Sequence, residues 1–250
     1  MNDDRGAVRG VIFDLWGTLI HRAWASPPEM EREFGAALSA FAREELGYRH
    51  PETLAEAVLK ALRASAGVGG DEMEHTTVEM IKESFCLEGL PTDDAILQKA
   101  DAAFVRPDLE NSRLYPGAHD VLSTLRGLGL CLALVSNSPC HQLVVDIAAR
   151  VGIIAYFDPL VTSAGFGRRK PHPSILAHVA ERWHIPPEDI VVVGDTVATD
   201  ILGAARARMR SVLVNIEPRP ENVGLSYLAQ PRAEITDLRQ LLGLLGRTPV

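Results

Sequence analysis

The chain has 250 residues, 46% of them hydrophobic, enough for one sizeable buried core or two small ones. Its 25 Lys and Arg against 33 Asp and Glu give a net charge of −8, which excludes a general attraction to nucleic acid or to an anionic membrane, so an anionic ligand must be met by a local site. Cys86, Cys131 and Cys140 form no C-x-x-C pair and are few for a disulfide framework, the acidic start leads into no signal-like apolar stretch, and no apolar run approaches a membrane span, so a cytoplasmic protein is expected.

The first element is the run Val11-Ile12-Phe13, which is continuously apolar rather than alternating and therefore predicts a strand buried on both faces of a parallel sheet. It ends in Asp14 and turns at Gly17. A lone Asp after a strand is most often a turn former or a helix cap; three later stretches change that reading. From about residue 21 to 112 strand-like runs give way to helical periodicity, over 29–46, 51–65, 76–85 and 93–104, with Thr92 or Asp93 as the cap of the last helix. Trp24 and Phe34 in this insertion are candidates for a face turned to substrate, although an aromatic on a helix is more often core.

After Tyr115-Pro116-Gly117 strands and helices alternate again. The pattern predicts a helix over 118–127, an apolar strand over 131–135 ending at Ser136-Asn137, a helix over 141–151, a short strand over 159–162 and a helix over 173–183. A third apolar strand over 190–193 ends at Gly194-Asp195, followed by a helix over 199–209, a strand over 211–216 and a terminal helix over 235–245. Glu217-Pro218-Arg219-Pro220 reads as a loop leaving the last strand, at an edge that can also border a cleft.

This order argues for an α/β fold, a doubly wound parallel sheet with an inserted all-helical cap, in which 1–20 and 113–250 form the core and 21–112 the cap. Right-handed crossovers put every strand's carboxyl end on one edge, so Asp14, Ser136 and Asp195 are expected to converge. The loop before the 173–183 helix adds Lys170 to that edge. Its neighbours Arg168 and Arg169 either steer an anionic substrate or form a solvated charge run. Two acids, a hydroxyl and a Lys around one cleft are what phosphoryl transfer through a carboxylate nucleophile requires.

Taken in order, Asp14 with Gly17-Thr18, Ser136 after Leu134-Val135, Lys170, and Gly194-Asp195 with Asp200 resemble the four signatures of the haloacid dehalogenase superfamily, over nearly the whole chain. The insertion directly after the first signature is similar to that family's helical-cap branch. The resemblance implies a Rossmann-like core in which Asp14 attacks phosphorus to give an aspartyl-phosphate. It also implies Mg²⁺ held by Asp14, the backbone carbonyl of Trp16 and Asp195, with Asp200 assisting. Ser136, Asn137, Gly17 and Thr18 would surround the transferring group, and Lys170 would balance its charge.

One position departs from the family's phosphatases, which usually carry a second Asp two residues after the nucleophile to protonate the leaving alcohol. Here it is Trp16, whose indole has no titratable proton near neutrality. The family's metal-independent 2-haloacid dehalogenases resemble this chain there, since they carry an aromatic. The acidic motif points the other way, because further carboxylates beside a nucleophile would burden a metal-free enzyme. A Mg²⁺-dependent phosphatase of a small phosphorylated molecule is therefore the favoured reading. It would suit leaving groups that need little protonation, or take a donor from His21 or His75. The alternatives are the dehalogenase and a catalytically weak binding or regulatory protein.

Overall fold

The computed structural model describes residues 7–24, 26–65 and 72–245. The core strands are β1 (Gly10–Phe13), β4 (Cys131–Ser136), β5 (Leu160–Thr162), β6 (Ile190–Gly194), β7 (Arg210–Val214) and β8 (Ala233–Ile235). They form one parallel sheet in the order β5-β4-β1-β6-β7-β8. Between β1 and β4 come β2 (Ile20–Arg22), four helices, α1 (Pro27–Leu46), α2 (Pro51–Ser65), α3 (Thr77–Leu87) and α4 (Asp94–Asn111), then β3 (Ser112–Leu114) and α5 (Ala118–Gly127). The remaining helices are α6 (His141–Arg150), α7 (Ser163–Phe166), α8 (Pro173–Trp183), α9 (Leu202–Arg206) and α10 (Gln240–Leu244). No helix among the described residues is long and apolar enough to cross a membrane.

The continuous apolar strands are explained by two separate cores. Val11, Phe13, Leu132, Leu134, Val191 and Val193 face one cluster with α5 and α6, whereas Ile12, Ala133, Val135 and Val192 face the other with α8 and α9. Successive residues of a strand point to opposite faces, so a strand covered on both sides has no polar position to spare. The first cluster runs on into the helical insertion, where Phe34 packs edge-on against Phe104 at 5.2 Å and Trp24 against Phe34 at 5.8 Å. Phe34 is thus core, as the plainer assignment has it.

Register places the site. Phe13 pairs with both Leu134 and Val193, so Asp14, one residue on, stands level with Val135 and Gly194. Ser136 and Asp195 lie one residue further along their strands. Chain direction across the sheet reverses at β1, which puts Asp14 at a topological switch point.

Several elements differ from the sequence expectations. The insertion is closed at its base by an antiparallel pair, β2 with β3, three residues each and too short to show a period. The helix expected over 199–209 begins as a π-turn, Val197–Ile201, within which Asp200 Oδ2 accepts from Thr196 N at 3.0 Å. The terminal helix expected over 235–245 is only α10, since Ile235 pairs with Val214 in the last parallel ladder and Gln240 Oε1 accepts from Thr236 N at 2.9 Å.

A polar seam joins the segment before α3 to the loop that carries Lys170. Glu74 N donates to Gly167 O at 3.2 Å, Arg169 N to Glu72 O at 2.9 Å and Thr77 N to Pro139 O at 3.0 Å. Ser163 Oγ donates to the buried Glu74 carboxylate, and Arg206 Nη1 to Glu72 Oε1 at 2.7 Å. Arg169 donates to the Ser65 carbonyl and lies 4.0 Å from Glu74, so it belongs to this seam.

Because Phe104 is fully buried between α1 and α4, Phe104→Ala should cost about 3–5 kcal/mol in urea-induced unfolding. A cost under 1 kcal/mol would mean that the insertion's aromatic core does not hold it together.

Candidate active site

Lys170 and Asp14 meet at the sheet edge. Lys170 Nζ donates to Asp14 Oδ1 at 2.6 Å, to Asp200 Oδ1 at 2.7 Å and to the Val135 carbonyl at 2.8 Å. All three of its donors are thereby used. Its backbone is held in turn by Asn137, whose Nδ2 donates to Lys170 O and whose Oδ1 accepts from Lys170 N, both at 2.8 Å. Burial opposes the lysine's charge, but the two carboxylates together outweigh it and its pKa is raised.

Asp195 completes the acidic cluster: Asp14, Asp195 and Asp200 each offer an oxygen, all within 4.8 Å of one another. Burial pushes the Asp14 pKa up to about 6, with Lys170 opposing and Asp200 adding to the rise. The same burial, helped by the charges of Asp14 and Asp200, pushes Asp195 up to about 7. Two glycines make room for the cluster. A Cβ on Gly194 would lie 2.3 Å from Asp200 Cγ, and one on Gly17, where φ is +79°, would lie 2.0 Å from Asp195 Oδ2.

Ser136 Oγ is buried with no hydrogen-bond partner among the described residues, and so is Thr18 Oγ1. Buried hydroxyls without partners are uncommon, and at a strand end beside a carboxylate they suit a ligand with acceptor oxygens. An all-oxygen donor set of three carboxylates likewise suits a hard divalent cation, so the residues present fit the Mg²⁺ implied by the resemblance.

Trp16 is half-buried, and the Arg22 guanidinium lies over its ring, 4.8 Å from the centroid. Arg22 is itself fixed by two bonds to Asp108 of α4, at 2.8 and 2.9 Å. A cavity of about 250 Å³ lies alongside, lined by Trp16, His21, Trp24, Tyr115 and Arg219 among others. His21 stacks on Tyr115 at 5.1 Å and shares this cavity, whereas His75 is exposed beside Glu79 and does not line it. Trp24 therefore does face a cavity, and its ring also closes the Phe34 cluster. Cys140 is buried next to Asp101, and burial and that carboxylate push its thiol up to about 12, so it is no nucleophile.

One residue of the cluster was not foreseen. Arg219, from the loop after β7, forms an ion pair with Asp195, its Nε 2.6 Å from Oδ2. The signal for it was only its position: it follows the carboxyl end of a parallel strand, where ligands and their partners collect.

Compared with known proteins, residues 8–208 match the model of the haloacid dehalogenase-like hydrolases. The chain belongs to that family. It is 30% identical over 166 residues to a phosphoglycolate phosphatase of Nitrosococcus oceani, covering 64% of this chain and 71% of that one. Among solved structures it resembles a 2-haloacid dehalogenase from Pseudomonas syringae, with a TM-score of 0.68, 24% identity and coverage of 96% and 98% of the two chains. It also resembles a phosphatase of the family from Thermococcus onnurineus, with a TM-score of 0.65, 22% identity and coverage of 97% and 100%. The structural likenesses establish the fold, and at nearly equal scores they do not separate the two chemistries. As a member of the family the chain is a hydrolase.

The raised acids carry a pH signature. The pKa values of Asp14 and Asp195 lie above their ordinary 3.8, so between about pH 4 and pH 7 the folded chain holds more protons than the unfolded one, and their contribution to stability falls as pH rises. In chelator, melting temperature should drop from pH 5 to pH 8, and Asp195→Asn should flatten the drop. An equally steep drop in Asp195→Asn would remove Asp195 from the effect.

Proposed function

We propose that this hydrolase is a Mg²⁺-dependent phosphatase of small phosphorylated metabolites, working through an aspartyl-phosphate on Asp14. The observation that carries the reading is the cluster of three buried carboxylates, Asp14, Asp195 and Asp200, two of which are bonded to the buried lysine. Burying like charges side by side is costly, and a bound cation would relieve that cost. The relative named phosphoglycolate phosphatase supports the same chemistry.

In this reading an Asp14 oxygen attacks phosphorus as the bond to the leaving oxygen breaks, and the leaving group departs with that electron pair. Water then attacks the phosphorus of the acyl phosphate, releasing inorganic phosphate and restoring the carboxylate. Ser136 Oγ donates to the transferring group, beside the loop of Gly17 and Thr18. Lys170 balances the charge that builds between nucleophile and phosphate. Asn137 acts through Lys170, whose backbone it holds on both sides. Asp14, the Trp16 carbonyl and Asp195 would hold Mg²⁺, with Asp200 in support. When bound, the ion supplies charge neutralisation for an anion approaching a carboxylate. Residues 21–112 act as the cap over a core of 1–20 and 113–250, and the expected cytoplasmic setting belongs to the same proposal.

Trp16 sets the substrate preference. With no carboxylic acid two residues after Asp14, the leaving group leaves without a proton from that position, which favours aryl and acyl phosphates. His21, in the cavity beside Trp16, is the better placed of the two histidines as a substitute donor. A second reading, a metal-independent 2-haloacid dehalogenase, is favoured by the same tryptophan, because halide departs without protonation.

Phosphate release from esters graded by leaving-group pKa separates these readings, measured with Mg²⁺ and with chelator, Asp14→Asn serving as the blank. The expected result is activity that needs both metal and Asp14 and falls by about 10²–10⁴ from aryl to alkyl esters. Equal turnover of both classes would remove the assignment to Trp16. Halide release from 2-haloacids in chelator, without phosphate release, would establish the dehalogenase. Ligand-induced stabilisation with neither product would establish a binding protein.

A further inference from the structure

Lys170 has no donor left for Asp195, since its three N–H groups go to Asp14, Asp200 and Val135. The third carboxylate takes its charge partner from elsewhere, and that partner is Arg219. The guanidinium also reaches over the nucleophile loop, where a Cβ on Gly17 would lie 2.1 Å from Nη2.

The approach of Arg219 is built into the backbone. Pro218 and Pro220 flank it, and Arg219 has the extended backbone expected before proline, with φ −96° and ψ 111°. The turn Pro220–Asn222 that follows is tied down by Asn222, whose Oδ1 accepts from Val197 N at 2.8 Å and whose Nδ2 donates to Asp195 O at 2.7 Å. The loop that delivers the cation is therefore bonded to the backbone of the acid it neutralises. A second acid, Glu221, is exposed on the same turn with Oε1 3.8 Å from Arg219 Nη1.

We propose that Arg219 is a resident counter-cation of Asp195, competing with the divalent cation for that carboxylate and so setting the metal concentration at which the site loads. The inference rests on the metal-dependent reading above. A guanidinium and a divalent ion on one carboxylate repel each other in a buried site where screening is weak. Loading therefore requires Arg219 to withdraw, and Glu221 is the partner that keeps it when Asp195 is claimed.

Calorimetric titration of the metal-free full chain with Mg²⁺, and with Mn²⁺ read independently by the electron paramagnetic resonance of the free ion, tests this without any substrate. Arg219→Gln should bind both ions about tenfold or more tightly than the unaltered protein, while Asp195→Asn abolishes binding. Glu221→Gln, an exposed change that keeps the fold, should bind about threefold more weakly, the scale of an exposed ion pair. Affinity that is unchanged or weaker in Arg219→Gln, with Asp195→Asn still abolishing binding, overturns the role of Arg219 and leaves the metal-dependent reading standing. If Arg219→Gln does not fold, unchanged affinity in Glu221→Gln overturns the proposal. No binding of either ion to any of these proteins, the unaltered one included, overturns the metal-dependent reading and the proposal with it.

Discussion

Lys170 Nζ donates to the carboxylates of Asp14 and Asp200 and to the Val135 carbonyl, and through those bonds the ends of β1 and β4 and the turn after β6 are tied to one buried charge. Removing an ammonium from water costs several kcal/mol, which only close, well-directed partners offset. The fold supplies them by register: strand pairing sets Asp14 level with Val135, and the π-turn brings Asp200 back to the same point. Asn137 fixes the lysine's own backbone. Small residues at Gly17 and Gly194 are the steric counterpart, because the space beside them is filled by Asp195 and Asp200.

The insertion is coupled to this centre from two directions. At its base, Arg22 leaves β2, stacks on Trp16 and is clasped by Asp108 of α4, so a helix of the insertion fixes the ring that stands two residues after Asp14. On the other side, the seam around Glu72 and Glu74 reaches the loop of Lys170. The ring and the ammonium are the two groups that most affect the leaving group and the nucleophile in the proposed reaction, and each is braced by the insertion.

Much of this was legible in the sequence because the relevant signals are short-range. Three apolar runs ending in Asp14, Ser136 and Asp195 announce buried parallel strands and polar ends, and the crossover rules do the rest. The four helices of the insertion follow from their periodicity, although α4 continues beyond its expected end through Pro107. What stayed hidden depends on tertiary pairing. β2 and β3 are too short to show a pattern, and Ile235 is helical by neighbourhood but strand by partner. The two bonds by which the Asn137 side chain holds Lys170 are likewise tertiary. Arg219 could not be singled out, since nothing local distinguishes a loop arginine that meets Asp195 from one that meets solvent.

The seam also governs how the insertion sits on the core. Its bonds run backbone to backbone as well as side chain to side chain, and one of its partners, Arg169, immediately precedes Lys170. A swing of the insertion about β2 and β3 would therefore have to part these bonds, and the strip they join includes the lysine's own loop. The contacts that seat the insertion and those that seat the lysine's loop are thus one set, so the two parts of the chain are held in place together.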